Sequence, residues 1–246
     1  MSTCESDIPV TRAARRQAWL DADAETLPRA AWLSFPPLML LVAVPLLLAD
    51  KALYKQLFDH ELGIVELMTP AVLVIGIAFG LATLTRIKRV AVPRARLWVL
   101  LVTLGCIYFA GEEVSWGQHF FGWETPEALG ALNNQNETNL HNISTWLDQK
   151  PRIFLELWVV VGGLYMPWRL RRRPLAQHET LRDWFWPTYE LLPTALLATL
   201  IRLPERVANA GGLRYSEFQE YYFGLFLSLY LVSVWRRVAR LPDPEG

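Results

Sequence analysis

Six apolar runs, separated by short charged clusters, constrain this chain more than any other feature. They cover roughly residues 32–49, 63–85, 97–115, 153–168, 184–202 and 218–235. A helix needs about 20 mostly apolar residues to cross a bilayer, and in lipid its backbone polar groups must be satisfied within the segment. The pattern predicts an all-α, polytopic membrane protein with about six transmembrane helices. Composition agrees, with 52% hydrophobic residues, 11 Trp and a mean hydropathy of +0.19. Residues 31–236 read as a single transmembrane domain between a polar tail, 1–30, and a short second tail, 237–246. Prolines 36, 37 and 45 interrupt the first run, and Pro187 and Pro193 the fifth, where they predict kinks.

Orientation follows from where Lys and Arg fall. The N-terminal tail, the 86–96 connection, the 169–182 connection and the C-terminal end carry 17 basic residues between them. The opposite set of connections carries 7. The positive-inside rule then puts both termini in the cytoplasm, and an even number of spans agrees with their lying on one side. The excess of Arg over Lys suggests a GC-rich bacterial genome, which makes the membrane a bacterial inner membrane. No cleavable signal is predicted in the polar first thirty residues, where a short amphipathic helix is expected near Arg12 to Leu27. A net charge of zero gives no reason to expect nucleic acid as a partner; the partners expected are membrane lipids. Two cysteines, Cys4 and mid-span Cys106, do not make a disulfide framework.

With that orientation, the connection over 113–152 lies on the outer face and is too long for a mere turn. It opens with "GEEVSWGQHFFG" and continues to "NNQNETNLHN". Ionisable residues inside spans are rare and costly, so each is a candidate functional group. Glu66, Glu112, Glu113, Glu156, Glu217 and Glu220 all fall near outer span ends, and Glu190 near the middle of the fifth span. A helix continued past the third span would put Glu112, Ser115 and His119 on one face, at i, i+3 and i+7. In the same way Glu137 and His141 stand at i and i+4. Glu112, His119, Glu137 and His141 are thus the candidate ligands for a divalent metal, with N and O donors suited to Zn or a non-haem metal. The bland alternative is that the histidines and asparagines cap backbone groups in a structured loop. Trp116, Phe120, Phe121, Trp123 and Trp146 read mainly as an interfacial belt.

Three resemblances attach to these residues. "GEEVSWGQHFFG" resembles the Glu-Glu-x-x-x-Arg motif of the CAAX-protease and bacteriocin-processing membrane proteases, in which the glutamates join downstream histidines in a membrane-embedded site. Only Glu112 and Glu113 carry over; Gly117 stands at the Arg position, and the downstream Phe-x-x-x-His and His-x-x-x-Asn motifs are absent. Ser115-x-x-x-His119 resembles one motif of the alkaline-ceramidase and progestin-receptor-like membrane hydrolases, without their terminal His-x-x-x-His. The combination "GEEVSWGQ…TPE…NQNETNLHN" is similar to a group of bacterial polytopic membrane proteins, and implies a shared outer-face element but no activity.

Three functions stay open on the sequence. The first is a membrane enzyme, a metal-assisted hydrolase or transferase acting on a lipid-type substrate at the outer face. Its catalytic candidates are Glu112, Glu113, Glu137 and His141, with Ser115, Trp116, Gln118 and Asn139 as substrate contacts. It predicts that the 113–152 segment folds back onto the outer carboxylates. The second is a proton- or cation-coupled carrier using the intramembrane acids Glu66, Glu156, Glu190 and Glu220, with Pro187, Glu190 and Pro193 as a broken-helix signature. The third is a non-catalytic scaffold whose outer loop docks a partner.

Overall fold

The computed structural model describes residues 26–59, 63–126, 138, 145–170, 180–208 and 212–241. Among them the chain is all-helical, with no strand. The helix expected near Arg12 to Leu27 lies almost wholly outside these residues.

Three helices are long and apolar enough to cross a membrane. They are α1 (Ala30–Ala49), α3 (Ile64–Thr85) and α4 (Pro93–Glu113). Pro93 opens α4 at its first position, where a missing N–H costs nothing. Between α1 and α3 lies a short helix the apolar pattern does not announce, α2 (Lys51–Phe58). It is started by Asp50, whose carboxylate accepts the N–H groups of Ala52 and Leu53 at 3.1 and 3.0 Å. Tyr54 and Phe58 anchor α2 by burial, and Phe58 stacks on Phe218. A turn, Gln118–Phe121 (α5), follows α4.

The helix over 145–170 (α6) is continuous but changes its winding: Thr145–Trp158 is α-helical, Val159–Tyr165 π-helical and Met166–Leu170 α-helical again. The wider π segment holds Gly162 and Gly163, against which Pro187 and Ala195 pack too closely for any side chain. The fifth apolar run, by contrast, is not one helix. It divides into α7 (Leu181–Phe185), a break at Trp186–Thr188, a single 3₁₀ turn and α8 (Leu192–Leu200). Pro187 ends the first piece and Pro193 opens the second. At nine residues α8 rises about 14 Å, roughly half of a hydrocarbon core. The irregular backbone of the break is enclosed by protein, with Trp184, Thr188 and Glu190 all buried. The short α9 (Leu203–Ala208) leads to α10 (Tyr215–Arg240).

α10 is the axis of the bundle: most of its residues are buried, and its most extensive contact is with α3. Helix association in lipid rests on close packing rather than on a hydrophobic drive. Gly76 accordingly lets α3 approach Ser228, whose hydroxyl donates to the Val72 carbonyl at 2.6 Å. Thr69, Thr83, Thr103 and Thr199 turn their hydroxyls back onto the carbonyl four residues earlier, so they need no water.

The bundle has two distinct polar ends. At one, Arg236 donates to the Thr26 carbonyl, Arg237 to the Asp183 carbonyl and Arg89 to the Leu241 carbonyl. At the other, Arg214 pairs with Glu66 and Arg152 with Glu220. Between them the outer surface is apolar, with Leu41, Val74, Leu101, Leu104 and Phe154 all more than half exposed. In water such a belt would aggregate; against lipid it is the solvent-matched face.

Candidate functional site

The last turn of α4 is Gly111-Glu112-Glu113, after which the helix stops. Three successive residues then take left-handed backbone conformations: Ser115 (φ 45°), Trp116 (φ 55°) and Gly117 (φ 99°). Glycine does so freely, whereas the serine and tryptophan each cost on the order of 1–3 kcal/mol. What the turn achieves is to fold the Trp116 indole back onto α4. A Cβ on Gly111 would lie 2.9 Å from that ring, so only glycine fits beneath it. The indole N–H donates to Glu112 Oε1 at 2.6 Å. Glu112 and Ser115 are both buried. The expectation that Glu112, Ser115 and His119 share one helical face is therefore corrected, because the helix ends at Glu113 and the left-handed turn redirects the chain beyond it.

Glu112 and Glu113 stand at the head of a cavity of about 350 Å³ walled by α4, α6 and α10. On α4 its wall is the stripe Trp98, Leu101, Val102, Gly105, Tyr108, Phe109 and Glu112, at the three- and four-residue spacing of one helix face. From Trp98 to Glu112 this stripe rises about 21 Å, more than one leaflet of a 30 Å hydrocarbon core. Arg152, Phe154, Leu155 and Trp158 of α6 and Glu220, Phe223 and Leu227 of α10 complete it. The deep end is aromatic: Trp98 and Trp158 meet edge to face at 5.4 Å, and Trp98 donates to the Tyr230 hydroxyl at 2.8 Å. Tyr230 in turn donates to the Trp184 carbonyl. Halfway along, Gly105 has no neighbouring atom within 4 Å of where a Cβ would stand, so the space there is open. Leu101 and Phe154 on the rim are 51% and 74% exposed, which opens the cavity sideways towards the apolar belt. Its shape is thus a polar head above a long apolar slot.

The head is a charge network. Arg152 pairs with Glu220 at 2.9 Å and donates to Gln219 Oε1 at 2.7 Å, and Gln219 donates to the Ala198 carbonyl at 3.1 Å. Arg214 pairs with Glu66 at 2.6 Å and reaches Glu217 at 3.4 Å. Glu113 lies in the field of Glu220, Glu217 and Glu66, offset by Arg152. Among the described residues it has neither a hydrogen-bond nor an ion-pair partner. Carboxylates gathered in a medium poor in water favour a compensating cation or proton.

The other expected site residues fall elsewhere. Gln118 spans a loop: its amide donates to Thr125 Oγ1 at 2.9 Å, and its Oε1 accepts the Thr138 N–H at 2.6 Å. Glu156 is half-buried on α6 and is not part of the cavity wall. Glu190, near the middle of the fifth apolar run, stands at the break itself, in the 3₁₀ turn before α8. There, fully buried, it accepts hydrogen bonds from the Thr26 and Thr188 hydroxyls and the Leu27 N–H. It fastens the start of the described chain at the arginine-rich end. Glu137, Asn139 and His141 lie outside the described residues, as does the His119 side chain. Among the described residues no group of three or more His, Cys, Asp or Glu is arranged to hold a metal.

Sequence reasoning missed Trp98, Gly105 and Trp158. The signal was present in "LWVLLVTLGCIYFAGEE", a stripe at helical spacing that ends in acid, but a lipid-facing and a cavity-facing stripe read alike. No protein-family model, curated protein or solved structure matches the chain. Fold and site together define an all-helical membrane protein with a carboxylate-headed, laterally open cavity.

Proposed function

We propose that this is a multi-pass protein of the bacterial inner membrane, with six passes and both termini in the cytoplasm, that acts on a lipid-type substrate at its outer face. The observation that carries the reading is the cavity, whose acidic head meets a slot that matches one lipid chain in length and polarity. The broken α7–α8 segment serves as the fifth pass, and the arginine-rich end, 17 basic residues against 7, is the cytoplasmic one.

As a hydrolase or transferase, the site works through Glu113, the acid of the head without a partner among the described residues. Glu113 takes a proton from water, or from an acceptor alcohol, as its oxygen attacks the substrate ester. The ester C–O or P–O bond breaks, and the proton passes from Glu113 to the departing oxygen. The Arg152 guanidinium faces the charge that develops on the ester oxygens. Glu112, held by Trp116, keeps its place as the wall of the head. A divalent metal enters this scheme only through Glu112 with His119, Glu137 and His141, and metal analysis of the purified protein tests that set.

The test is turnover by the protein reconstituted in vesicles of bacterial lipid extract, followed by mass spectrometry of released or transferred head groups. Wild type is expected to generate product, Glu113→Gln to lose it, and Gly105→Leu to lose it by filling the slot. Absence of product from folded wild type overturns the enzyme reading. A periplasmic reporter that is active when fused at the C terminus overturns the topology.

A further inference from the structure

Resting on the reading of the cavity as a lipid site, we infer that its ligand is a phospholipid whose head carries a protonated primary amine beside the phosphate. The cavity head presents three carboxylates, Glu112, Glu113 and Glu220, and one guanidinium, Arg152. Two of those acids are engaged, Glu112 by the Trp116 N–H and Glu220 by Arg152. Glu113 has no such partner among the described residues, and its electrostatic neighbours are mostly of its own sign. Arg152 spends two of the five guanidinium N–H donors on Glu220 and Gln219. The head therefore offers one carboxylate seeking a cation and one guanidinium with donors to give.

A purely anionic head, such as phosphatidylglycerol, satisfies Arg152 but sets its phosphate beside Glu113 and brings no cation for that carboxylate. A neutral diacylglycerol leaves both Glu113 and the remaining Arg152 donors dry. An ammonium two carbons from a phosphate answers both at once, the ammonium donating to one Glu113 oxygen, which leaves the other for the proton, and the phosphate oxygens accepting from Arg152. One acyl chain then lies along Gly105 towards Trp98 and Trp158, while the second leaves past exposed Leu101 and Phe154 into the bilayer. A quaternary ammonium keeps the charge but cannot donate a hydrogen bond, and so binds more weakly.

The experiment is native mass spectrometry of the full-length protein released from nanodiscs of equal parts phosphatidylethanolamine, phosphatidylglycerol and phosphatidylcholine. Wild type is expected to retain phosphatidylethanolamine over the other two by about tenfold, the range of a charge-assisted hydrogen bond. Glu113→Gln should erase that preference while lipid is still retained, and Gly105→Leu should reduce retention of every lipid. Retention without head-group preference, or a preference for phosphatidylglycerol, overturns the amine assignment but leaves the lipid site standing. Equal retention by wild type and a folded Gly105→Leu variant overturns the lipid site itself.

Discussion

The Trp116 indole N–H lies 2.6 Å from Glu112 Oε1, four residues back along a chain that has left its helix between them. Two left-handed non-glycine residues are maintained to make this contact. Trp116→Phe keeps the ring against Gly111 but removes the donor from a buried carboxylate, at a cost of about 1–3 kcal/mol. Gly111→Ala should do comparable harm by a different route, since its Cβ meets the ring 2.9 Å away. Thermal unfolding in mild detergent checks both. Two variants as stable as wild type would make the bracket passive.

Gly105 and Gly163 are both glycines in membrane helices, and they should respond in opposite ways. A side chain at Gly105 meets nothing within 4 Å, so Gly105→Leu should leave the melting temperature unchanged or slightly raised. A Cβ at Gly163 overlaps Ala195 and crowds Phe226, so Gly163→Val should cost about 1–3 kcal/mol, the usual penalty of overpacking. Parallel melts of the two variants decide the matter; equal losses would mean that the space beside Gly105 is already filled.

Arg214 joins the N-terminal ends of α3 and α10 through Glu66 at 2.6 Å and Glu217 at 3.4 Å. All three side chains are between a fifth and a third exposed, so the coupling is that of a screened pair. A double-mutant cycle with Glu66→Gln and Arg214→Gln should give about 0.2–1 kcal/mol, falling as salt is raised. A coupling that salt leaves unchanged would show that the pair is sealed from water.

Tyr230 ties three elements together by accepting from Trp98 and donating to the Trp184 carbonyl. Tyr230→Phe keeps the ring among Trp98 and Trp158 and removes only the hydroxyl. Hydrogen bonds in membrane bundles average about 0.6 kcal/mol each, so a loss on the order of 1 kcal/mol is expected for the two. Hydrogen exchange at α7 should rise selectively. Exchange that rises evenly across the bundle would place the effect in global stability.

Much of the architecture was legible in the residues because lipid enforces it locally. Spans must be long, apolar and internally hydrogen-bonded, so α1, α3 and α4 are visible as runs, and Pro187 and Pro193 announce the break in the fifth. Lys and Arg clusters likewise mark the two ends. The acids of the cavity head could be found singly, since charge is rare at the edge of apolar runs.

What the sequence could not determine was partnership, which depends on distances between helices. Glu190 looked like a mid-span acid, yet only the fold brings Thr26 and Leu27 to it across more than 160 residues and turns it into a fastening. Glu112 and Glu113 are adjacent, chemically identical and both at the cavity head, and only the left-handed turn at Ser115 and Trp116 distinguishes them, by bringing the indole N–H to Glu112 and not to Glu113. The cavity itself lies between α4, α6 and α10, beside Gly105. A void between three helices has no residue of its own to be read from a sequence.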